Sequence, residues 1–123
     1  MSATPYGETI MDVTQDCRTC TIRELNDTLR TKGEGGQILI TRGLNEKDEE
    51  FIRAALQRLR EFDHFTPEND PYGDHDFGRF VLAGEPILWK IDYYDESRMF
   101  GSDDPSNPAK TTRVLTLMLA DEY

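Results

Sequence analysis

The sequence has few of the features that mark membrane or secreted proteins. No apolar run approaches the roughly 20 residues needed to span a bilayer. Residues 1–5 show neither the basic start nor the apolar stretch of a secretion signal. We therefore expect a cytoplasmic protein that does not associate with membranes.

Positive charge is also scarce. The chain has 14 Lys and Arg residues against 24 Asp and Glu residues, which gives a formal net charge of −10. Such a surface repels a phosphate backbone unless a local basic patch overrides it, and the densest cationic group, Arg53, Arg58 and Arg60, is interspersed with glutamates. The composition argues against direct nucleic-acid binding. It favours either plain solubility or contact with a basic nucleic-acid-binding groove on another protein.

The apolar residues that are present fall into periodic blocks. Although only 37% of the 123 residues are hydrophobic, this clustering is typical of a folded chain, and the length suits one domain. Residues 1–20 lack periodicity, so we expect a loosely ordered N-terminal arm there and a single domain over residues 21–123.

Local patterns predict most of the secondary structure. A capping box at Thr21 begins a helix that Gly33 ends, residues 37–41 form a short strand, and Asn45 caps a second helix with an apolar stripe. Residues 78–94 alternate in polarity around a Gly-Glu turn and predict a hairpin. The apolar residues 114–119 suit either a strand or a helix; because Asn107 and Pro108 make a good helix start, we expect residues 108–120 to be helical.

These elements predict an α+β fold. We expect a small antiparallel sheet of about three strands, including the hairpin, packed with two or three helices.

A pair of cysteines, Cys17 and Cys20, has CxxC spacing ahead of the predicted helix. Such a pair can serve redox chemistry or bind zinc. No preceding strand of a βαβ unit is predicted, however, and the two histidines of the chain lie far away at unsuitable spacing. We therefore interpret Cys17 and Cys20 as ordinary thiols of a cytosolic protein.

Residues 63–78, which we call the acidic segment, form a long polar stretch that holds five acids and both histidines but no Lys or Arg. A loop of this length is uncommon without a role. One interpretation is a loop whose Asn and Asp side chains cap its own turns. An alternative is a divalent-metal site that uses Asp74, His75, Asp76 and Asp92, although the spacing fits no EF-hand.

Lys90 and Tyr94 share one face of the predicted hairpin with Asp92 and are candidates to assist chemistry at such a metal site. The sequence has no nucleophile motif, no phosphate-binding glycine loop and no HExxH signature. We therefore expect a protein without catalytic activity or cofactor. A metal-dependent enzyme or metal-binding regulator is the alternative.

Several blocks of the chain resemble a known family. They are residues 36–43 (GQILITRG), 62–71 (FDHFTPENDP), 75–78 (HDFG), 89–95 (WKIDYYD) and 112–116 (TRVLT). These blocks are similar to a family of short bacterial proteins of unknown function, carried largely on plasmids and other mobile elements of alphaproteobacteria. The resemblance covers residues 21–123 and implies no activity, cofactor or catalytic residue. Its setting in mobile elements implies an anti-defence role, such as inhibition of restriction or CRISPR machinery.

The charge and the resemblance together lead to one functional hypothesis. The chain is expected to be an interaction protein whose acidic surface engages a basic, nucleic-acid-binding partner protein. The predicted contact residues lie in the acidic segment and after the hairpin: Asp63, Glu68, Asp70, Asp74, Asp76, Asp95, Glu96, Asp103 and Asp104.

Overall fold

The computed structural model describes the backbone of residues 6–123 and the side chains of residues 18–123. The chain order is helix α1 (Tyr6–Lys32), strand β1 (Gly36–Ile40), helices α2 (Arg42–Asn45) and α3 (Glu49–Glu61), strands β2 (Phe77–Leu82), β3 (Glu85–Tyr94) and β4 (Thr112–Leu119), and a 3-10 turn (Ala120–Glu122).

The four strands form one sheet in the order β1-β4-β3-β2. β2 pairs with β3 and β3 pairs with β4 in antiparallel fashion, whereas β1 runs parallel to β4. The predicted α+β class, a small sheet packed with helices, is confirmed. The sheet has one strand more than expected, and it is mixed where a purely antiparallel one was predicted.

The helix predicted for residues 108–120 is wrong, since Thr112–Leu119 is strand β4. β4 lies between β1 and β3, and six of its eight residues are buried. A central strand covered on both faces is apolar almost throughout and does not alternate, so its composition does not distinguish it from a buried helix. Asn107 and Pro108 lie instead in a turn, where the Lys110 amide donates to the Asn107 carbonyl over 3.1 Å.

The helix boundaries also differ from two predicted caps. α1 continues through Thr21, so the capping box there does not begin a helix, whereas Gly33 ends it with φ of 71°. Asp48 caps α3 by accepting from the Phe51 amide over 2.8 Å, and Asn45 is the last residue of α2. The loosely ordered arm at residues 1–20 stays a prediction, because residues 1–5 and the side chains of residues 6–17 lie outside the described part.

The core lies between the helices and one face of the sheet. Leu29 of α1 and Leu59 of α3 are fully buried and belong to one apolar cluster with Ile87, Trp89 and Leu115 of the sheet. Alternation along β3 is as predicted: odd-numbered residues face this core, and Lys90 and Asp92 lie on the opposite face. Two residues, Ala83 and Gly84, turn the β2–β3 hairpin with φ of 51° and 80°.

Candidate functional site

His75 attaches the acidic segment to α1. Its ring stacks on Phe65 with centroids 3.7 Å apart and planes 3° from parallel. Its Nδ1 lies 2.9 Å from Oδ1 of Asp27 on α1, and its Nε2 lies 3.6 Å from Oδ2 of Asp70. The His75 backbone has φ of 57°, a left-handed conformation that histidine adopts more readily than most residues. Two carboxylates therefore flank one half-buried imidazole.

Arg30 is buried behind His75 and contacts the same two partners, Asp27 and Phe65. Its Nη2 donates to Oδ1 of Asp27 over 3.0 Å, and its Nη1 donates to the Phe62 carbonyl over 3.0 Å. The guanidinium lies over the rings of Phe65 and Trp89, at 5.4 and 5.6 Å from their centroids. Burial lowers the pKa of Arg30 and the Asp27 carboxylate opposes that effect. The start of the acidic segment is thus fixed to α1 by a buried cation.

Asn26 of α1 is fully buried and joins three distant parts of the chain. Its Nδ2 donates to the Tyr93 hydroxyl over 2.8 Å and to the Asp74 carbonyl over 2.9 Å. Its Oδ1 accepts from Nε of Arg113 over 2.9 Å. An amide has two donors and an acceptor oxygen, so this side chain is satisfied on both sides.

Tyr93 connects Asn26 to the end of the acidic segment. Its hydroxyl donates to Oδ2 of Asp76 over 3.1 Å. Burial, followed by the nearby Asp76 charge, raises the pKa of Tyr93, so the phenol stays protonated and can donate. Burial also raises the pKa of Asp76 and of Asp74. We refer to Asn26, Asp76, Tyr93 and Arg113 as the buried polar network.

Arg113 is the cation of this network, and it is 1% exposed. It donates through Nη2 to the Pro105 carbonyl and lies over the Tyr93 ring at 5.3 Å. Its partners in the described part of the chain are thus neutral groups and a ring, and burial lowers its pKa. The network connects α1, β3 and β4 with the loop that holds Asp76 and the loop that holds Pro105. It therefore fixes the position of these two surface loops.

Three of the four residues predicted as metal ligands make separate side-chain contacts, and the fourth, Asp74, accepts from Asn26 through its backbone carbonyl. Asp76 accepts from Tyr93, His75 faces Asp27 and Asp70, and Asp92 pairs with Nζ of Lys90 over 3.0 Å. The hydrogen bond that Lys90 donates to Asp92 is the main cause of the raised pKa of Lys90. Among residues whose side chains are described, no group of three His, Cys, Asp or Glu is arranged to hold a metal ion. The metal site, and the assistance expected from Lys90 and Tyr94, stay predictions.

The predicted contact acids divide into two sets. In the acidic segment, Asp63 and Glu68 are exposed, whereas Asp70, with a side chain only 7% exposed, accepts from the His75 amide. Asp74 and Asp76 are half-buried. Much of this segment is therefore used to fold the protein.

The acids after the hairpin remain on the surface. Asp95, Glu96 and Asp103 line an open groove of about 430 Å³ with Ser97 and Lys110. A hydrogen bond from the Ser97 hydroxyl lowers the pKa of Asp95.

Asp104 directly follows Asp103, which lines this groove. The Ser106 hydroxyl lowers the pKa of Asp104 in the same way as Ser97 does for Asp95. Arg18 approaches Asp104 to 3.5 Å. These carboxylates are held in their charged form.

Cys20 is half-buried, and its Sγ accepts from Nη2 of Arg23 over 3.4 Å. The side chain of Cys17 lies outside the described residues. The interpretation of the pair as ordinary thiols stays a prediction.

Sequence reasoning missed three residues of α1 that contact the acidic segment: buried Asn26, half-buried Asp27 and buried Arg30. It also missed buried Arg113 of β4, which donates to Asn26. A weak signal did exist, because Arg113 directly precedes the apolar run 114–119 and Asn26 follows Leu25 within an apolar helical stripe. A polar residue in such a position is buried only with a partner, but its partner cannot be named without the fold.

The fold and the site define a small α+β protein in which a buried polar network supports an acidic surface. The chain matches the family described as "Protein of unknown function (DUF3768)" over residues 40–122, and it belongs to that family. No curated protein and no solved structure shows significant similarity to it. In the described part of the chain, no helix is both long and apolar enough to cross a membrane.

Proposed function

We propose that this protein is a non-catalytic, cytoplasmic interaction protein whose acidic surface occupies the basic nucleic-acid-binding surface of a partner protein. The resemblance to proteins of bacterial mobile elements supports an accessory or anti-defence role, such as inhibition of a restriction or CRISPR protein. It engages neither nucleic acid nor membrane directly.

The observation that carries this proposal is the distribution of charge between the core and the surface. Within the described part of the chain, the charged residues buried as whole residues are Arg30 and Arg113, and both are cations. Among the acids, the side chain of Asp70 is 7% exposed, so at most 12 of the 14 Lys and Arg side chains and at most 23 of the 24 Asp and Glu side chains face solvent. The surface therefore keeps an acidic excess close to the formal charge of −10.

An acidic surface of this kind favours a cationic partner for a simple physical reason. Long-range attraction accelerates the encounter, and matching of opposite charges orients the two proteins. The partner's nucleic acid and this protein then compete for one surface. Such binding weakens with salt, because charges more than a Debye length apart, about 10 Å at 0.1 M, are screened.

The first test is affinity capture from bacterial lysate at low salt, followed by measurement of Kd for each captured protein. We expect the authentic partner to bind at least about tenfold more weakly when salt rises from 0.05 to 0.2 M. We also expect its cognate nucleic acid to displace this protein in proportion to concentration. A partner that binds equally at both salt concentrations, or that binds nucleic acid and this protein simultaneously, would contradict the proposal.

Charge-neutralising variants locate the surface. The double variant Glu96→Gln/Asp103→Asn removes two acids after the hairpin, and Glu49→Gln/Glu50→Gln removes two exposed acids at the start of α3 as the matched control. We expect the first to weaken binding and to reduce its salt dependence, and the second to have a smaller effect. Equal losses from both pairs would indicate unspecific attraction by net charge.

A further inference from the structure

Residues 95–101 form a closed loop, which we call the 95–101 loop, beyond the end of β3. Tyr94 and Gly101 form a bridge across its base. The Asp95 amide donates to the Phe100 carbonyl over 2.7 Å, and the Ser102 amide donates to the Tyr93 carbonyl over 3.0 Å. An antiparallel bridge therefore closes the base of the loop, directly at the end of the inner strand β3.

Hydrogen bonds within the loop hold its tip in one shape. Oδ1 of Asp95 accepts from the Ser97 amide over 3.0 Å, and the Ser97 hydroxyl accepts from the Met99 amide over 3.2 Å. Arg98 sits between them with φ of 63°, a conformation that costs a non-glycine residue roughly 1 kcal/mol or more. This turn directs the chain into Met99 and Phe100.

The tip consists of two large apolar side chains in water. Met99 is 76% exposed and Phe100 is 68% exposed, and they are neighbours in sequence. Side chains this exposed contribute little apolar burial to folding. Apolar side chains that are presented by a fixed loop, and are not needed by the core, are typical of the anchors of protein interfaces.

We propose that Met99 and Phe100 are the apolar anchor with which this protein inserts into a pocket framed by Lys and Arg side chains on its partner. This inference rests on the proposed function and deepens it, because it names the contact and the chemistry of the surface that receives it. The anchor provides the desolvated centre, and the acids around it provide the charged rim.

Charge complementarity selects this occupant. The groove beside the loop is lined by Asp95, Glu96 and Asp103, with Lys110 as the single cation of its lining. Arg98 of the loop is exposed but lies outside this lining. A second copy of the chain would bring the same acids against them, and an anionic lipid surface would repel them. A partner with an apolar pocket and a basic rim matches both the apolar anchor and the acids beside it.

The test uses the full chain labelled with ¹⁵N and a defined probe, a short amphipathic peptide with one leucine face and one lysine face. A matched peptide carries glutamate in place of lysine. The variants are Met99→Ser/Phe100→Ser and, as a control at another exposed aromatic, Tyr72→Ser, since Tyr72 is 81% exposed.

We expect saturable binding of the lysine peptide, with the largest amide shifts in residues 95–104 and none with the glutamate peptide. The double variant should lose about tenfold or more in affinity while its melting temperature stays within about 2 °C of the unsubstituted chain, and Tyr72→Ser should bind within about twofold.

Other outcomes overturn the inference in distinct ways. Salt-dependent binding that maps elsewhere, or that the double variant retains, removes the anchor but leaves the proposed function standing. Absence of any saturable binding to the lysine peptide counts against both. If light scattering shows a dimer that the double variant abolishes, Met99 and Phe100 contact a second copy of the chain and not a basic partner. If the protein binds vesicles with anionic lipid, Met99 and Phe100 contact a membrane.

Discussion

Arg113 of β4 donates from Nε to Oδ1 of Asn26 of α1 over 2.9 Å, although 87 residues separate the two in sequence. Asn26 is fully buried and Arg113 is 1% exposed. Removal of one member leaves the other with a buried polar group and no partner, which costs more than the net value of the hydrogen bond.

Asn26→Leu should therefore be strongly destabilising. The substitution removes the acceptor of Arg113 and the donors to Tyr93 and the Asp74 carbonyl. We expect the free energy of unfolding to fall by about 3–5 kcal/mol, measured by urea denaturation. Glu24→Gln, at an exposed position of the same helix, is the control and should change it by less than about 0.5 kcal/mol. A loss below about 1 kcal/mol for Asn26→Leu would show that the network is not structural.

Asp76 should make the protein less stable as pH rises, which is the opposite of the usual effect of a carboxyl group in a folded protein. Because burial raises the pKa of Asp76 above 3.8, the folded state holds this proton more tightly than the unfolded state. The contribution of Asp76 to stability is thus complete below pH 3.8 and is lost as pH rises through the folded pKa. Asp76→Asn keeps an oxygen acceptor for Tyr93 without the charge.

We expect Asp76→Asn to become more stable relative to the unsubstituted chain as pH rises from about 4 to 7, by urea denaturation at each pH. Asp95→Asn is the opposite case, because the Ser97 hydrogen bond lowers the pKa of Asp95. Its carboxylate stabilises the fold above pH 3.8, and the effect disappears as pH falls through the folded pKa, so the Asp95→Asn series is measured from pH 7 down to about pH 2. Parallel pH trends for the two variants would refute these assignments.

Divalent metal ions should not raise the melting temperature. His75 is directed at Asp27 and Asp70, and Asp92 is paired with Lys90, so a metal at the predicted ligands would have to break these contacts. We expect melting curves in EDTA and in Mg²⁺, Mn²⁺, Ca²⁺ or Zn²⁺ to agree within about 1 °C. A rise of several degrees with one metal that His75→Ala abolishes would establish the metal site, because a ligand of the folded state stabilises it by mass action.

Ala83 offers a stabilising substitution. It has φ of 51° in the two-residue turn between β2 and β3, followed by Gly84 with φ of 80°. Asn-Gly is the preferred pair for such a turn, whereas alanine is strained in the left-handed region. Ala83→Asn should raise the free energy of unfolding by about 0.5–1 kcal/mol, and Ala83→Val should lower it. Equal stability of the two variants would contradict the turn geometry.

Elements governed by local signals were predictable. The hairpin follows from alternation along β3 and from the glycine at its turn, and α3 follows from its apolar stripe and its N-terminal acids. Strand β4 was not, because burial on both faces removes the alternation and its parallel partner β1 lies far away in sequence. The same distance explains why the order of strands could not be read from the chain.

The sequence by itself determined the acidic character of this protein, its fold class and the existence of a polar segment rich in Asp and His, since these depend on composition and on neighbours along the chain. Only the tertiary structure decided what those polar groups do. It turned Asp70 and His75 inward, toward α1, and left Met99 and Phe100 in solvent. Burial and pairing depend on residues that the fold brings together from up to 87 positions apart, as Asn26 and Arg113 show.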